Sequence, residues 1–210
     1  MHSDIKPSEI WRYEEAGGVI HHSFFFDADG DDESLYAAIT WHLARLIDHE
    51  YGTGWLDSRK LPALEREVID RRTFLGDYYD MEREALIWPG TGLTESGEMV
   101  ADPLWDATDP LKLKHYEPDS VWNGNYSYAF AHAIHPLQMP KLEVQILFRQ
   151  IVAMLLPYSG DEIITDWSSK ALGGVCEHFL AGLEYWGVFL FTIHHPSTRR
   201  LIVISASTTD

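Results

Sequence analysis

WGVFLFTIHHPSTRRLIVISAST, residues Trp186–Thr208, is the stretch that decides the fold class. Gly187–Ile193 is apolar on both of its alternating faces, as expected for a strand covered from both sides. His194–Arg200 carries Pro196 and Ser197, which interrupt a strand ladder and favour a turn. Leu201–Thr208 then alternates, with Ile202, Ile204 and Ala206 set against Val203, Ser205 and Ser207. Two strands joined by a short turn are a β-hairpin, and a hairpin in the interior of a sheet makes that sheet antiparallel or mixed.

Upstream of the hairpin, Ala171–Glu184 reads as a helix with the stripe Leu172, Val175, Cys176, Phe179, Leu180 and Leu183, capped by Ser168 or Ser169. Glu162–Thr165 reads as a short strand. Lys141–Leu156, opened by Pro140 and closed by Pro157, is apolar nearly all round and is expected to be buried. Tyr126–Ile134 has strand-like composition. Residues 88–125 are broken by Pro and Gly and read as a long irregular segment with short strands. Pro62 to Leu75, continuing towards Leu86, keeps roughly helical spacing. Asp31 or Asp32 caps a helix carrying Leu35, Ile39, Leu43, Leu46 and Ile47, which stops near Gly52. Val19–Phe26 is a strand, and a short helix or docked arm precedes it. Strands and helices do not alternate regularly, so the expectation is one α+β domain over residues 1–210, with an antiparallel or mixed sheet and helices mainly on one face.

The chain has 210 residues, with 16 Lys and Arg against 33 Asp and Glu, a formal net charge of −17. Such a field repels nucleic-acid phosphates and anionic membranes and attracts basic partners. The start of the chain lacks the basic-then-apolar pattern of a secretion signal. No apolar run approaches the roughly 20 residues that span a bilayer. A soluble cytoplasmic protein that binds neither nucleic acid nor membrane is the expectation. A single cysteine, Cys176, rules out an intrachain disulfide and a cysteine-rich zinc site.

Phe24-Phe-Phe-Asp27-Ala-Asp29-Gly30 resembles the first motif of haloacid-dehalogenase-type phosphatases, a strand ending in Asp-x-Asp-Gly. The resemblance implies Asp27 as nucleophile, Asp29 as acid/base and both as Mg²⁺ ligands, on buried parallel strands. Asp31 stands where that family places Thr or Val. Without the resemblance, Asp27–Glu33 is an acidic turn that caps a helix. It is not an EF-hand, because counting from Asp27 the glycine falls at position 4 and Ala38 takes the place of the final Glu.

Eleven histidines raise the question of a metal. His21-His22 and His194-His195 lie at strand ends, and His132 and His135 are close in sequence, but no spacing fixes which residues meet, so no metal ligand set is assigned. His42 and His49, beside Arg45 and Asp48, read as a solvated helix face. Cys176 and His178 are two apart on a helix and diverge, so Cys176 reads as a small buried thiol. No P-loop, nucleophile elbow or dinucleotide fingerprint occurs, so no catalytic residue and no cofactor are assigned.

What remains is an acidic surface with aromatic residues in its irregular parts: Trp55, Trp88, Trp105 and Trp122. Aromatic anchors among carboxylates suit a basic protein partner. The leading expectation is a non-enzymatic binding protein that neutralises such a partner, as immunity proteins neutralise nuclease-like toxins. Its contact residues would be Asp102, Trp105, Asp106 and Asp109, and in the acidic turn Asp27, Asp29, Asp31 and Asp32. The alternatives are a Mg²⁺-dependent phosphatase or hydrolase using Asp27 and Asp29, and an interaction domain with no toxin partner.

Overall fold

The computed structural model describes residues 6–50, 54–76, 78–86, 91–93, 99–101, 126–131, 137–158, 160–184 and 188–207. In chain order the elements are α1 (Ser8–Glu15), β1 (Ile20–Phe25), α2 (Asp32–Glu50), a 3₁₀ turn (Ser58–Ala63), β2 (Glu67–Ile69) and α3 (Arg71–Leu75). There follow β3 (Tyr79–Asp80), β4 (Ala85–Leu86), β5 (Thr91–Leu93), β6 (Met99–Ala101), α4 (Tyr126–Ala131) and α5 (Lys141–Leu155). The chain continues through β7 (Ile163–Asp166), a 3₁₀ turn (Lys170–Gly174), α6 (His178–Glu184), β8 (Val188–His195), a 3₁₀ turn (Pro196–Thr198) and β9 (Arg200–Ser207).

The hairpin is the centre of the molecule. The main sheet has five strands in the order β1-β9-β8-β7-β2, and every pairing is antiparallel. Strand β8 runs from Val188, opposite Ser207, to His195, opposite Arg200, and all eight of its residues are buried. Two helical layers account for that absence of a polar face. On one side Phe189, Phe191, Ile193, Ile202 and Ile204 meet α1, α3, α4 and α5. On the other side Leu190, Leu201 and Val203 meet α2, α6 and Trp167.

The α+β class, the antiparallel sheet and the C-terminal hairpin are as expected from the sequence. The helices, however, stand on both faces of the sheet, which the one-sided expectation missed. A strand buried on both of its faces needs cover on each side.

Three local expectations give way to tertiary packing. Tyr126–Ala131 is helical, because Tyr126, Ala129 and Phe130 share one helix face; Tyr126 stacks on Phe74 at 4.9 Å and Phe130 on Tyr13 at 4.4 Å. The helix expected from Pro62 to Leu75 divides into the 3₁₀ turn, edge strand β2 and the short α3. Pairing of Val68 with Thr165 draws the middle of that segment into the sheet, and the Asp70 carboxylate caps α3 by accepting the Thr73 N–H at 2.7 Å. The helix expected over Ala171–Glu184 is broken before α6. Gly173 lies where a Cβ would come within 2.6 Å of Leu183, and Cys176 forms an isolated bridge with Leu56.

The helix after the acidic turn begins as expected. Asp31 is its cap, accepting the Ser34 N–H at 2.9 Å on its side chain and the Leu35 N–H at 2.9 Å on its backbone carbonyl. In the irregular segment β5 and β6 pair with each other, Gly92 opposite Val100. Among the described residues no helix is long and apolar enough to cross a membrane.

Candidate functional site

Strand β1 leaves the sheet at Phe25, opposite Leu201, so the acidic turn emerges beside the turn of the central hairpin. Several contacts pin the two turns together, among them one from Arg199 Nη2 to the Asp27 carbonyl at 3.4 Å. The Ala28 N–H donates to the Arg199 carbonyl at 2.9 Å, and His194 Nε2 lies 3.2 Å from the Ala28 carbonyl. The Arg199 guanidinium pairs with Asp29 at 2.9 Å. Gly30, at φ 76°, rests against the His194 ring so closely that a Cβ there would fall 2.2 Å from Nδ1. Asp27 (φ 57°) and Arg199 (φ 52°) face each other, both in left-handed backbone that costs a non-glycine residue on the order of 1 kcal/mol.

Asp27, Asp29, Asp31, Asp32 and Glu33 all point to solvent, and Phe26 beside them is 41% exposed. Their charges are not equally available. Asp29 is answered by Arg199. Asp32 is answered by Arg66 at 2.7 Å, whose guanidinium also lies over the Trp167 ring. The Ser34 N–H and hydroxyl hold the Asp31 carboxyl below its ordinary range, and that carboxylate serves the helix cap. The acidic turn is therefore a rigid, internally braced projection.

The other proposed contact residues, Asp102, Trp105, Asp106 and Asp109, lie outside the described residues, as do Trp88, Trp122, His132 and His135. Trp55 is 41% exposed, and its backbone N–H donates to Glu177.

The arrangement does not fit the Mg²⁺ chemistry implied by the phosphatase resemblance. Strand β1 is an edge strand of an antiparallel sheet, whereas that motif needs a buried parallel strand. Arg199 brings a fixed cation to Asp29, one of the two carboxylates that would have to hold the metal.

Among the described residues, two polar clusters gather around buried histidines of the sheet and the helix that covers it. His42, expected on a solvated helix face, is buried under α2, where its ring bridges Ser23 (2.7 Å to Nδ1) and Ser205 (2.8 Å to Nε2). His22, on the other face, bonds the Tyr126 hydroxyl at 2.9 Å. Burial pushes the His22 ring down to about 3, helped by neighbouring His21 and Lys6, and pushes His42 well below the ordinary histidine value. Both rings are neutral; His42 is bonded at both nitrogens, whereas His22 is bonded at Nε2 and its buried Nδ1 has no hydrogen-bond partner. Serines on a strand opposite a histidine on a helix were the available sequence signal, but only the register brings Ser23 and Ser205 to one ring. Cys176 is buried and in no disulfide, as expected.

The second cluster gathers at the C-terminal end of α5, whose last carbonyls lack helical partners. Arg200 donates to the Met154 carbonyl at 2.6 Å and Arg71 to the Pro157 carbonyl at 2.6 Å, while His195 Nε2 lies 2.9 Å from the Leu155 carbonyl. Arg71 also makes a bidentate pair with Glu162, which holds that carboxyl below its ordinary range.

No protein-family model matches the chain, and searches of curated proteins and of solved structures also return no match.

Proposed function

We propose that this protein binds a basic protein partner through its acidic turn and thereby neutralises it, in the manner of an immunity protein. The observation that supports the reading is the bracing of the turn. Asp27 is kept in left-handed backbone by contacts to Ala28, Asp29 and Gly30, while the surrounding carboxylates remain exposed. A surface already ordered before binding loses less conformational entropy on association. The net charge of −17 steers a cationic partner towards it and speeds encounter. Asp27, Asp31 and Glu33 are the exposed carboxylates of the turn that neither arginine engages, and Asp31 is committed to the helix cap, so Asp27 and Glu33 are the residues that meet the partner's lysines and arginines.

The test is affinity capture from the native host at about 50 mM and about 500 mM salt, where screening lengths differ severalfold. The expected result is one basic protein, recovered at low salt, weakened at high salt and lost with an Asp27→Lys/Glu33→Lys chain that keeps its circular-dichroism spectrum. Recovery of the same protein by that charge-reversed chain rules out this surface. Recovery of no basic protein at low salt rules out the function.

A further inference from the structure

We infer that Asp161, Glu162 and His195 form a binding site for a divalent first-row transition metal of the zinc class. The sheet register builds it. Ile163 is opposite His194, so Glu162 and His195 stand opposite one another on the next rung, at the end of the sheet. Successive strand side chains alternate: His194 reaches the Ala28 carbonyl on one face and His195 the Leu155 carbonyl on the other. Asp161 comes from the chain just before β7, and its Oδ2 accepts the Ser197 N–H at 3.0 Å. One donor atom from each of the three side chains lies within 4.8 Å of the others. Donors bound to zinc at about 2.0–2.2 Å stand roughly 3–3.5 Å apart, so a bound metal would draw the three groups closer than they stand here.

The state of the His195 ring points to a cation. His195 is 1% exposed. Its Nε2 faces the Leu155 carbonyl at 2.9 Å and Arg200 Nη2 at 3.2 Å. The carbonyl can only accept and at 2.9 Å is the nearer of the two, so Nε2 donates to it and carries the proton, while Arg200 Nη2 donates to Met154 at 2.6 Å. Nδ1 is left with a lone pair, buried and with no hydrogen-bond partner. A metal ion relieves that unmet acceptor and offsets the charge of the neighbouring carboxylates. An imidazole whose far N–H is held by a backbone carbonyl is also how proteins orient histidine ligands.

Arg71 fixes the Glu162 carboxylate and leaves it further lone pairs to offer. Arg71 and Arg200 also limit the anionic charge of the site. That disfavours Ca²⁺ and Mg²⁺, which depend on oxygen ligands, relative to a metal that takes imidazole. A metal here ties the start of β7 to the turn of the central hairpin.

The experiment uses the full chain stripped with chelator, titrated with Zn²⁺ by calorimetry and with Co²⁺ by visible absorption. The expected result is one saturable equivalent, a rise in melting temperature, and at least about tenfold weaker affinity in Asp161→Asn. In ¹⁵N spectra of wild type, Zn²⁺ is expected to shift Nδ1 of one histidine whose Nε2 stays protonated, which identifies the ligand without a substitution. The absence of saturable binding below about millimolar Zn²⁺ by folded wild type overturns the proposal. So does binding that Asp161→Asn leaves unchanged, which would place the metal on other histidines.

Discussion

Lowering the pH from about 7 to about 5 is expected to cost this protein about 2 kcal/mol of folding stability through His22 alone. His22 is enclosed by Tyr126 and Tyr13, and its ring is pushed from 6.5 in the unfolded chain down to about 3 in the folded one. The sign follows from that order. Between these values the unfolded chain binds the proton and the folded chain does not, so stability is complete above about 6.5 and declines as the pH falls towards about 3. Each pH unit below 6.5 costs about 1.4 kcal/mol per such group, and about pH 5 lies 1.5 units down. His42 shifts in the same direction, so the slope exceeds that of one proton.

Two effects oppose the loss. Burial raises the Asp166 carboxyl, which favours the folded state as acid protonates it, and acid also relieves the self-repulsion of a chain at −17. The assay is therefore comparative: urea denaturation at several pH values for wild type and for His22→Gln/His42→Gln. The wild type should lose stability more steeply than the variant between about pH 6.5 and about pH 5. Equal slopes would refute the assignment of these histidines as buried neutral groups.

Three further outcomes follow from the packing. Gly30→Ala, which forces a Cβ into the His194 ring at positive φ, is expected to lower stability by about 1–3 kcal/mol in thermal melts; an unchanged melting temperature would mean the acidic turn is not seated on His194. Gln145→Leu removes the side-chain amide that accepts the Leu86 N–H at 2.8 Å and donates to the Leu86 carbonyl at 3.2 Å. The expected cost is about 1–3 kcal/mol with faster hydrogen exchange at Leu86, and full retention of protection there would contradict it. Asp31→Ala should cost about 1 kcal/mol in urea denaturation while Asp31→Asn costs less, because the cap to Ser34 needs only a side-chain oxygen; equal losses would show that the cap is not the cause.

Several elements could be read from the chain because their signals are local. Strand β8 opens on the unbroken apolar run Val188–Phe191, α5 is bounded by Pro140 and Pro157, and Asp31 precedes a helix with a clean stripe. Residues 126–131 and 58–75 could not be read this way. Tyr-Ser-Tyr-Ala-Phe fits a period of two as well as one helical face, and the choice falls to Phe74, Phe148 and Tyr13, which are distant in sequence. Val68 is exposed on an edge strand, so no burial pattern marks Glu67–Ile69 as part of the sheet.

The candidate site divides along the same line. The acidic turn, its place after a strand and the overall charge are legible in the chain, because these depend on which residues follow one another. The tertiary structure decided that Arg199 and His194 brace that turn, that His42 is buried between two serines, and that His195 meets Asp161 and Glu162. Each of those meetings depends on the antiparallel register, which brings together residues separated by tens of positions or more, and no local propensity encodes it.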